Sequence, residues 1–215
     1  MEATVNPPIT KSAQAGRGTA IVLGLAMLVG LGFVAGFALP YFAGGEELAR
    51  YPDRQGWLFL HISGGMVALI VGPGQLWLGH TNRRMEVHRK LGLVYMASIA
   101  VSVTAAFYLA THTALGWVFG AGLSGLAVAW IVTTGLAYAA IRRGLLQQHR
   151  EWMIRSYVVT FGFVFFRILV GVLQATSVGS LSEQLAAASW FCWAAPLLVT
   201  EAILQGRKIF AVSRY

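Results

Sequence analysis

Long apolar segments dominate this chain of 215 residues and limit the folds that are open to it. A helix that crosses the hydrocarbon core of a bilayer, about 30 Å thick, needs about 20 consecutive apolar residues. Six segments reach this length, at residues 19–42, 56–78, 91–110, 115–141, 152–175 and 185–205. Because 57% of the residues are hydrophobic and only 11% are charged, the sequence predicts an all-α integral membrane protein built as a six-helix bundle.

The net charge of +8 is explained by membrane topology, since the basic residues gather at one face of this six-helix layout. That face carries Lys11, Arg17, Arg83, Arg84, Arg89, Lys90, Arg142, Arg143, Arg150, Arg155, Arg207, Lys208 and Arg214. The opposite face carries Glu46, Glu47, Asp53 and Glu183, with only Arg50 and Arg54 against them. Lys and Arg are enriched in cytoplasmic loops. We therefore expect this face and both termini in the cytoplasm, and no nucleic-acid partner.

The same layout divides the chain into three parts. We expect a cytoplasmic tail over residues 1–18, a transmembrane domain over residues 19–208 and a second cytoplasmic tail over residues 209–215. The first tail is rich in Pro, Ser, Thr and Gly, which is typical of a mobile segment.

Two clusters of similar sequence precede the third and fifth apolar segments. In the first, Arg83 and Arg84 lead to His88, and in the second, Arg142 and Arg143 lead to His149. A tyrosine follows each histidine about two helical turns later, at Tyr95 and Tyr157. The clusters therefore predict a histidine and several arginines at the same membrane face of two helices. The alternative is that the arginines serve topology alone and that the histidines are incidental interfacial groups.

A weak internal repeat extends this similarity to the helices that come before. Trp57, Phe59 and Gly65 of the second segment align with Trp117, Phe119 and Gly125 of the fourth. Helices two to five are therefore open to interpretation as a duplicated four-helix core with helices one and six as flanks. Chance matching of Trp, Phe and Gly is the alternative.

Four short motifs give the chain a family resemblance over about two-thirds of its length. They are His61-Ile62-Ser63-Gly64-Gly65, Gly72-Pro73-Gly74-Gln75, His88-Arg89-Lys90-Leu91-Gly92 with Tyr95, and His149-Arg150-Glu151-Trp152-Met153-Ile154-Arg155-Ser156-Tyr157 followed by Arg167. With them the chain resembles the bacterial membrane proteins grouped as domain-of-unknown-function family 2306. The resemblance implies a multi-pass protein of the bacterial cytoplasmic membrane and supplies no mechanism. More faintly, the chain is similar to transmembrane b-type cytochromes, which hold haem between histidines of facing helices.

The second similarity suggests haem b, with two candidate histidine pairs as iron ligands. His61 and His112 form the candidate pair near the outer face, and His88 and His149 form the pair near the inner face. Gly64, Gly65 and Gly92 would leave room for a flat ring or for a close helix neighbour. Side chains on a helix lean toward its N-terminus, so the inner pair can hold a buried haem only if both helices begin earlier than the apolar segments do.

Arg167 lies inside the fifth segment, where a charge is costly. It is eighteen residues, or five helical turns, from His149, and the stripe between them includes Met153, Ser156 and Thr160. We therefore expect this face to point into the bundle, where Arg167 would bind a haem propionate or another anion. Snorkelling to the outer interface is the alternative. Glu201 is expected to pair with Arg155, or else with a protonated His88 or His149.

These observations favour a haem-binding electron-transfer protein. The alternatives are a carrier for a small anionic or quinone-like solute, and an accessory or assembly subunit whose basic face binds anionic lipids or a membrane-protein partner. The sequence lacks the glycine pattern of a P-loop and the Cys-x-x-Cys, His-Glu-x-x-His and Gly-x-Ser-x-Gly motifs. Whether the protein is an enzyme is left open.

Overall fold

The computed structural model describes residues 10–44, 46–49 and 51–212. These residues form helices and the turns between them, with no β-strand in the described part of the chain. The helices are α1 (Thr10–Phe33), α2 (Glu46–Ala49), α3 (Gln55–Thr81), α4 (Met85–Thr111), α5 (Trp117–Arg142), α6 (Leu146–Thr160), α7 (Gly162–Ala175) and α8 (Leu181–Val212). A π-helical turn (Val34–Ala38) and a 3-10 turn (Leu39–Ala43) extend α1.

Five helical spans are long and apolar enough to cross a membrane, and they match five of the six predicted segments. They are Gly16–Ala43, Gln55–Thr81, Met85–Thr111, Trp117–Arg142 and Leu181–Phe210. Large apolar side chains such as Leu25, Leu28 and Leu198 point outward on these spans, as expected of surfaces that face lipid. The all-helical multi-span prediction is confirmed at this level.

The remaining predicted segment, 152–175, is not one straight helix. It is divided between α6 and α7, which meet at an angle of 43°. The bend lies at Phe161, whose N–H is shared between the carbonyls of Tyr157 and Val158 at 3.2 Å each. Gly162 follows, and a Cβ there would lie 2.9 Å from Cδ1 of Leu126 on α5. The absence of a side chain at Gly162 therefore allows a close approach to α5 at the bend.

The structure describes only part of the two predicted terminal tails. Residues 1–9 and 213–215 lie outside the described residues, and α1 begins at Thr10, within the predicted first tail. At the other end α8 continues to Val212. The predicted boundaries at residues 18 and 209 follow the loss of apolar composition, and a helix can continue beyond such a boundary.

Two helical hairpins form the centre of the bundle. One joins α3 to α4 through a turn in which Asn82 and Arg84 have φ angles of 51° and 49°, and the other joins α5 to α6 through Gly144. The first hairpin is tight because Gly64 lies against the backbone of α4, where a Cβ would come within 2.5 Å of the Ser98 carbonyl oxygen. The absence of a side chain at Gly64 thus allows α4 to approach α3 closely.

The hairpins pack on each other and are flanked by the two outer spans. α4 contacts α5, and α3 contacts α6, while α1 lies against α3 and α8 against α5, α6 and α7. The buried centre includes Tyr95, Ile99, Trp130 and Tyr157. Both turns of the hairpins and the end of α8 lie at one end of the bundle, which we call the basic end because Arg83, Arg84, Arg142, Arg143, Arg207 and Lys208 are located there.

Candidate functional site

His88 and His149 face each other at the basic end. Their ring centroids are 6.3 Å apart and their planes are perpendicular, at 89°. A haem between these histidines requires both helices to begin before the apolar segments, since side chains lean toward the helix N-terminus. The structure meets this condition, because α4 begins at Met85 and α6 at Leu146, six residues before those segments. Each histidine therefore lies on the first turn of a formed helix, and the two rings can lean toward one point between the helices.

The two imidazoles are held by the same kind of hydrogen bond. Nδ1 of His88 lies 3.2 Å from the Gln75 carbonyl oxygen on α3, and Nδ1 of His149 lies 2.9 Å from the Ala137 carbonyl oxygen on α5. A carbonyl can only accept, so the hydrogen-bond network assigns the proton of each neutral ring to Nδ1. Nε2 then carries the lone pair, which is the arrangement that metal-binding histidines adopt.

A pocket of about 990 Å³ surrounds these rings, and we call it the basic-end pocket. It is lined by residues of α1, α3, α4, α5, α6 and α8, with Tyr95, Met96 and Met153 among the deeper ones. Its volume is at the upper end of the range of about 300–1,000 Å³ found for cofactor and small-molecule sites. Most of its surface is apolar, so a ligand with a large apolar body fits it.

Two glycines make room in this pocket. A Cβ on Gly79 would lie 3.1 Å from Cε1 of His88, and a Cβ on Gly92 would lie 2.8 Å from Nε2 of Gln75. The sequence indicated Gly92 by its position four residues after His88. Gly79 was missed, because on the sequence it is one glycine among 25 and only the approach of α4 reveals its contact.

The rim of the pocket is strongly basic. It is lined by Arg89, Arg142, Arg150, Arg207 and Lys208, and Glu151 is the only acidic residue among the described residues that line it. The Glu151 carboxylate is itself neutralised by Lys208, whose Nζ lies 2.7 Å away. Four arginines therefore face a pocket whose single carboxylate is already paired. Such a rim attracts an anion, and guanidinium groups are suited to carboxylates.

Two buried polar atoms lack a hydrogen-bond partner among the described residues, and both belong to residues that line this pocket. They are Oε1 of Gln75 and Nε of Arg150. Gln75 is only 3% exposed. Buried polar groups are almost always satisfied, so such exceptions require an explanation. Their coincidence at one pocket indicates that the protein structure alone does not complete this site.

Hydroxyl groups below the pocket form a directional chain. Thr160 donates to the Ser156 carbonyl at 2.8 Å, so Tyr95 must donate to Thr160, at 2.8 Å. The Tyr95 oxygen then accepts from Ser156 at 3.0 Å, and Ser156 accepts from Thr134 at 2.7 Å. Each of these hydroxyl protons is donated within the network, so the hydrogen bonds hold the Tyr95 side chain in one position beneath the pocket.

The structure does not bring His61 and His112 together. Nδ1 of His61 lies 3.1 Å from the Ser102 carbonyl oxygen on α4, whereas His112 follows the end of α4 and bonds through Nδ1 to the Tyr108 carbonyl at 2.8 Å. Ten residues of helix separate Ser102 from His112, a rise of about 15 Å. One iron needs its two imidazoles about 6 Å apart between ring centroids. These positions do not favour the predicted outer pair.

Arg167 does not point into the bundle, so the predicted stripe from His149 to Arg167 is wrong in its outer half. Met153 and Ser156 are buried as predicted, but Arg167 is exposed. Its guanidinium donates to the Tyr41 hydroxyl at 3.3 Å and lies 5.5 Å from the Phe37 ring centroid. The 43° bend between α6 and α7 changes the helical register, which an unbroken helix would have kept.

The predicted pairing of Glu201 with Arg155 is confirmed. Nε of Arg155 donates to Oε2 of Glu201 at 2.7 Å, and its guanidinium lies 4.6 Å from the Trp152 ring centroid. Arg155 is also 3.9 Å from Glu151. This ionic cluster joins α6 to α8 beside the pocket and leaves Arg155 only 6% exposed.

Two facing imidazoles, those of His88 and His149, are the candidate metal ligands at the pocket. No three His, Cys, Asp or Glu side chains converge anywhere in the described ranges, whereas a protein-only zinc site needs three or four. Two facing imidazoles are the axial set that haem iron accepts.

Comparison with known proteins places the chain by family. A family model described as "Predicted membrane protein (DUF2306)" matches residues 58–204, which include both hairpins and most of α8. No curated protein matches the chain, and no solved structure does.

Proposed function

The chain belongs to the DUF2306 family of predicted membrane proteins, and from the geometry of the basic-end pocket we propose that it binds one haem b and transfers electrons. One observation carries the proposal. His88 and His149 face each other at 6.3 Å between ring centroids, and each presents Nε2 because Nδ1 is bonded to a carbonyl. An iron bonded to both rings at about 2.0 Å needs centroids about 6 Å apart.

The surroundings of the imidazoles support the same ligand. A porphyrin is a large, flat, apolar body with two carboxylates, and the pocket offers about 990 Å³ with a basic rim. The two ring planes are perpendicular, which ligands on opposite faces of one porphyrin can adopt. His88 and His149 would bind the iron, and rim arginines, foremost Arg150, would bind the propionates. Bound haem would supply reversible one-electron chemistry.

Visible spectroscopy tests this proposal directly. The detergent-purified protein from haem-replete cells is measured after reduction with dithionite and after oxidation in air, and haem is quantified as its pyridine complex. We expect b-type difference bands and one haem per chain. A colourless preparation that also fails to take up added haemin would rule out the proposal.

We also propose that α6 and α7 together make the sixth span. The chain would then cross the membrane six times, with both termini and the basic end in the cytoplasm of a bacterium. The exposed residues Arg83, Arg84 and Arg143 would meet anionic lipid headgroups there. A fluorescent protein and a periplasmic phosphatase, each fused to the C-terminus, test this topology, since only the first should be active.

We further propose that helices two to five arose by duplication, and the two hairpins support this. His88 bonds the carbonyl of Gln75 thirteen residues earlier, and His149 bonds the carbonyl of Ala137 twelve residues earlier. Two hairpins that orient a histidine by the same bond are expected of two copies of one unit.

A further inference from the structure

The basic-end pocket reaches the lipid-facing surface between α4 and α5. Leu93 on α4 and Tyr138 and Ile141 on α5 all line the pocket, yet they are 63%, 43% and 40% exposed. Leu93 lies eight residues after the start of α4, about 12 Å along the helix, so the pocket opens through the side of the bundle as well as at its basic end. We call this the lateral opening. A molecule dissolved in the bilayer can reach the pocket through it.

One hydroxyl group stands at this opening. The Tyr138 oxygen accepts a hydrogen bond from Nη1 of Arg142 at 3.1 Å, and the guanidinium carbon lies 5.8 Å from the Tyr138 ring centroid. The hydroxyl proton is not needed for that bond, and one lone pair of the oxygen is left over. Tyr138 can therefore donate to a carbonyl or accept from a phenol. The nearby arginine polarises the hydroxyl and strengthens either bond.

We propose that the electron donor to the haem is a membrane-dissolved hydroquinone, which docks in the lateral opening with its headgroup on Tyr138. Leu93 and Ile141 form apolar sides for the ring, and the alkyl tail of such a molecule can stay in lipid. Tyr138 suits both redox forms, since it accepts from the hydroquinone and donates to the quinone. This inference rests on the proposed haem and identifies the partner of the same pocket.

The reaction balances with one haem per chain. A hydroquinone becomes a quinone when both of its O–H bonds break, releasing two protons and two electrons. Each electron reduces one ferric haem to the ferrous state, so one hydroquinone reduces the haems of two chains. The protons leave to water at the basic end, to which the pocket also opens.

Stopped-flow reduction of the air-oxidised protein by decylubiquinol tests the inference. Leu93→Trp narrows the opening, and Leu198→Trp is its matched control, since Leu198 is 71% exposed on α8 away from the pocket. Tyr138→Phe removes only the hydroxyl. We expect slower haem reduction by decylubiquinol in Leu93→Trp, a loss of about fivefold in Tyr138→Phe, and wild-type rates in Leu198→Trp. Dithionite should reduce all four proteins equally.

The outcomes separate this inference from the proposed function. A protein that binds haem but is not reduced by decylubiquinol, or is reduced equally fast in Leu93→Trp, Tyr138→Phe and Leu198→Trp, overturns the hydroquinone site alone. If Leu93→Trp does not fold, the Tyr138→Phe rate decides, because that change keeps the ring and its packing. A protein without haem overturns both.

Discussion

His88 and His149 lie on different helices and meet with their rings perpendicular and 6.3 Å apart. Each ring is anchored at Nδ1 to a carbonyl of the helix that precedes it in the chain. The anchors come from opposite hairpins, so the pair forms only when the two hairpins dock. The relationship is a property of the assembled bundle.

Removal of either imidazole should abolish or shift the b-type bands. His88→Ala and His149→Ala each delete an axial ligand, and the pocket should then lose haem or hold it in a five-coordinate state. His112→Ala is the matched control, because His112 has the same kind of Nδ1 bond at the opposite end of the bundle. Difference spectra of the three variants check the prediction. Normal bands in both His88→Ala and His149→Ala would remove the pair from the ligand set.

The basic rim should contribute to haem affinity through Arg150. Arg150→Gln deletes a charge at a residue that lines the pocket and has a buried, unpartnered Nε. A hydrogen bond between charged groups contributes about 1.5–3 kcal/mol, so the dissociation constant for haemin should rise at least about tenfold. Arg143→Gln removes a charge at the same end outside the pocket lining and should leave affinity unchanged. Haemin titration followed by absorbance distinguishes the two, and equal affinities would contradict a role for Arg150.

Gly72 should not tolerate a side chain. A Cβ at this position would overlap the ring of Tyr157, whereas a Cβ at Gly74 meets nothing within 4 Å, because two residues on it points to the other side of α3, about 200° around the helix. Overpacking of this kind costs about 1–3 kcal/mol. Gly72→Ala should therefore lower the thermal unfolding midpoint in detergent, and Gly74→Ala should not. If both variants unfold at the wild-type temperature, the contact between α3 and Tyr157 is looser than the structure has it.

The ion pair between α6 and α8 should be costly to break from one side. Arg155→Met leaves the Glu201 carboxylate without its partner, while Glu151 keeps Lys208. Because the Glu201 side chain is 43% exposed, we expect a cost of about 1–3 kcal/mol, between the values for exposed and for buried pairs. Replacement of both partners, as Arg155→Met with Glu201→Leu, should recover part of this loss, since no unpaired charge remains at Glu201. Thermal unfolding of the two single variants and the double variant measures the coupling. A strictly additive double variant would show that the pair contributes nothing.

The sequence by itself determined five helical spans and the candidate residues of this protein. Bilayer thickness fixes the length of a span, so a span can be recognised as a run of about 20 apolar residues without knowledge of the rest of the fold. The clusters before the third and fifth segments likewise identified His88 and His149 as equivalent groups, and the depth match of Arg155 with Glu201 predicted their pairing. These inferences use local composition and helical rise, which neighbouring helices do not change.

Only the tertiary structure decided which of those residues meet. It separates His61 from His112, because Ser102 packs against His61 about 15 Å along α4 from His112. It turns Arg167 outward, because the bend at Phe161 changes the register beyond it. It also shows that Gly79, Tyr138 and the unpartnered Oε1 of Gln75 lie at one pocket. Helix rotation, bending and the docking of hairpins depend on side chains from several segments at once, and no single stretch of sequence contains that information.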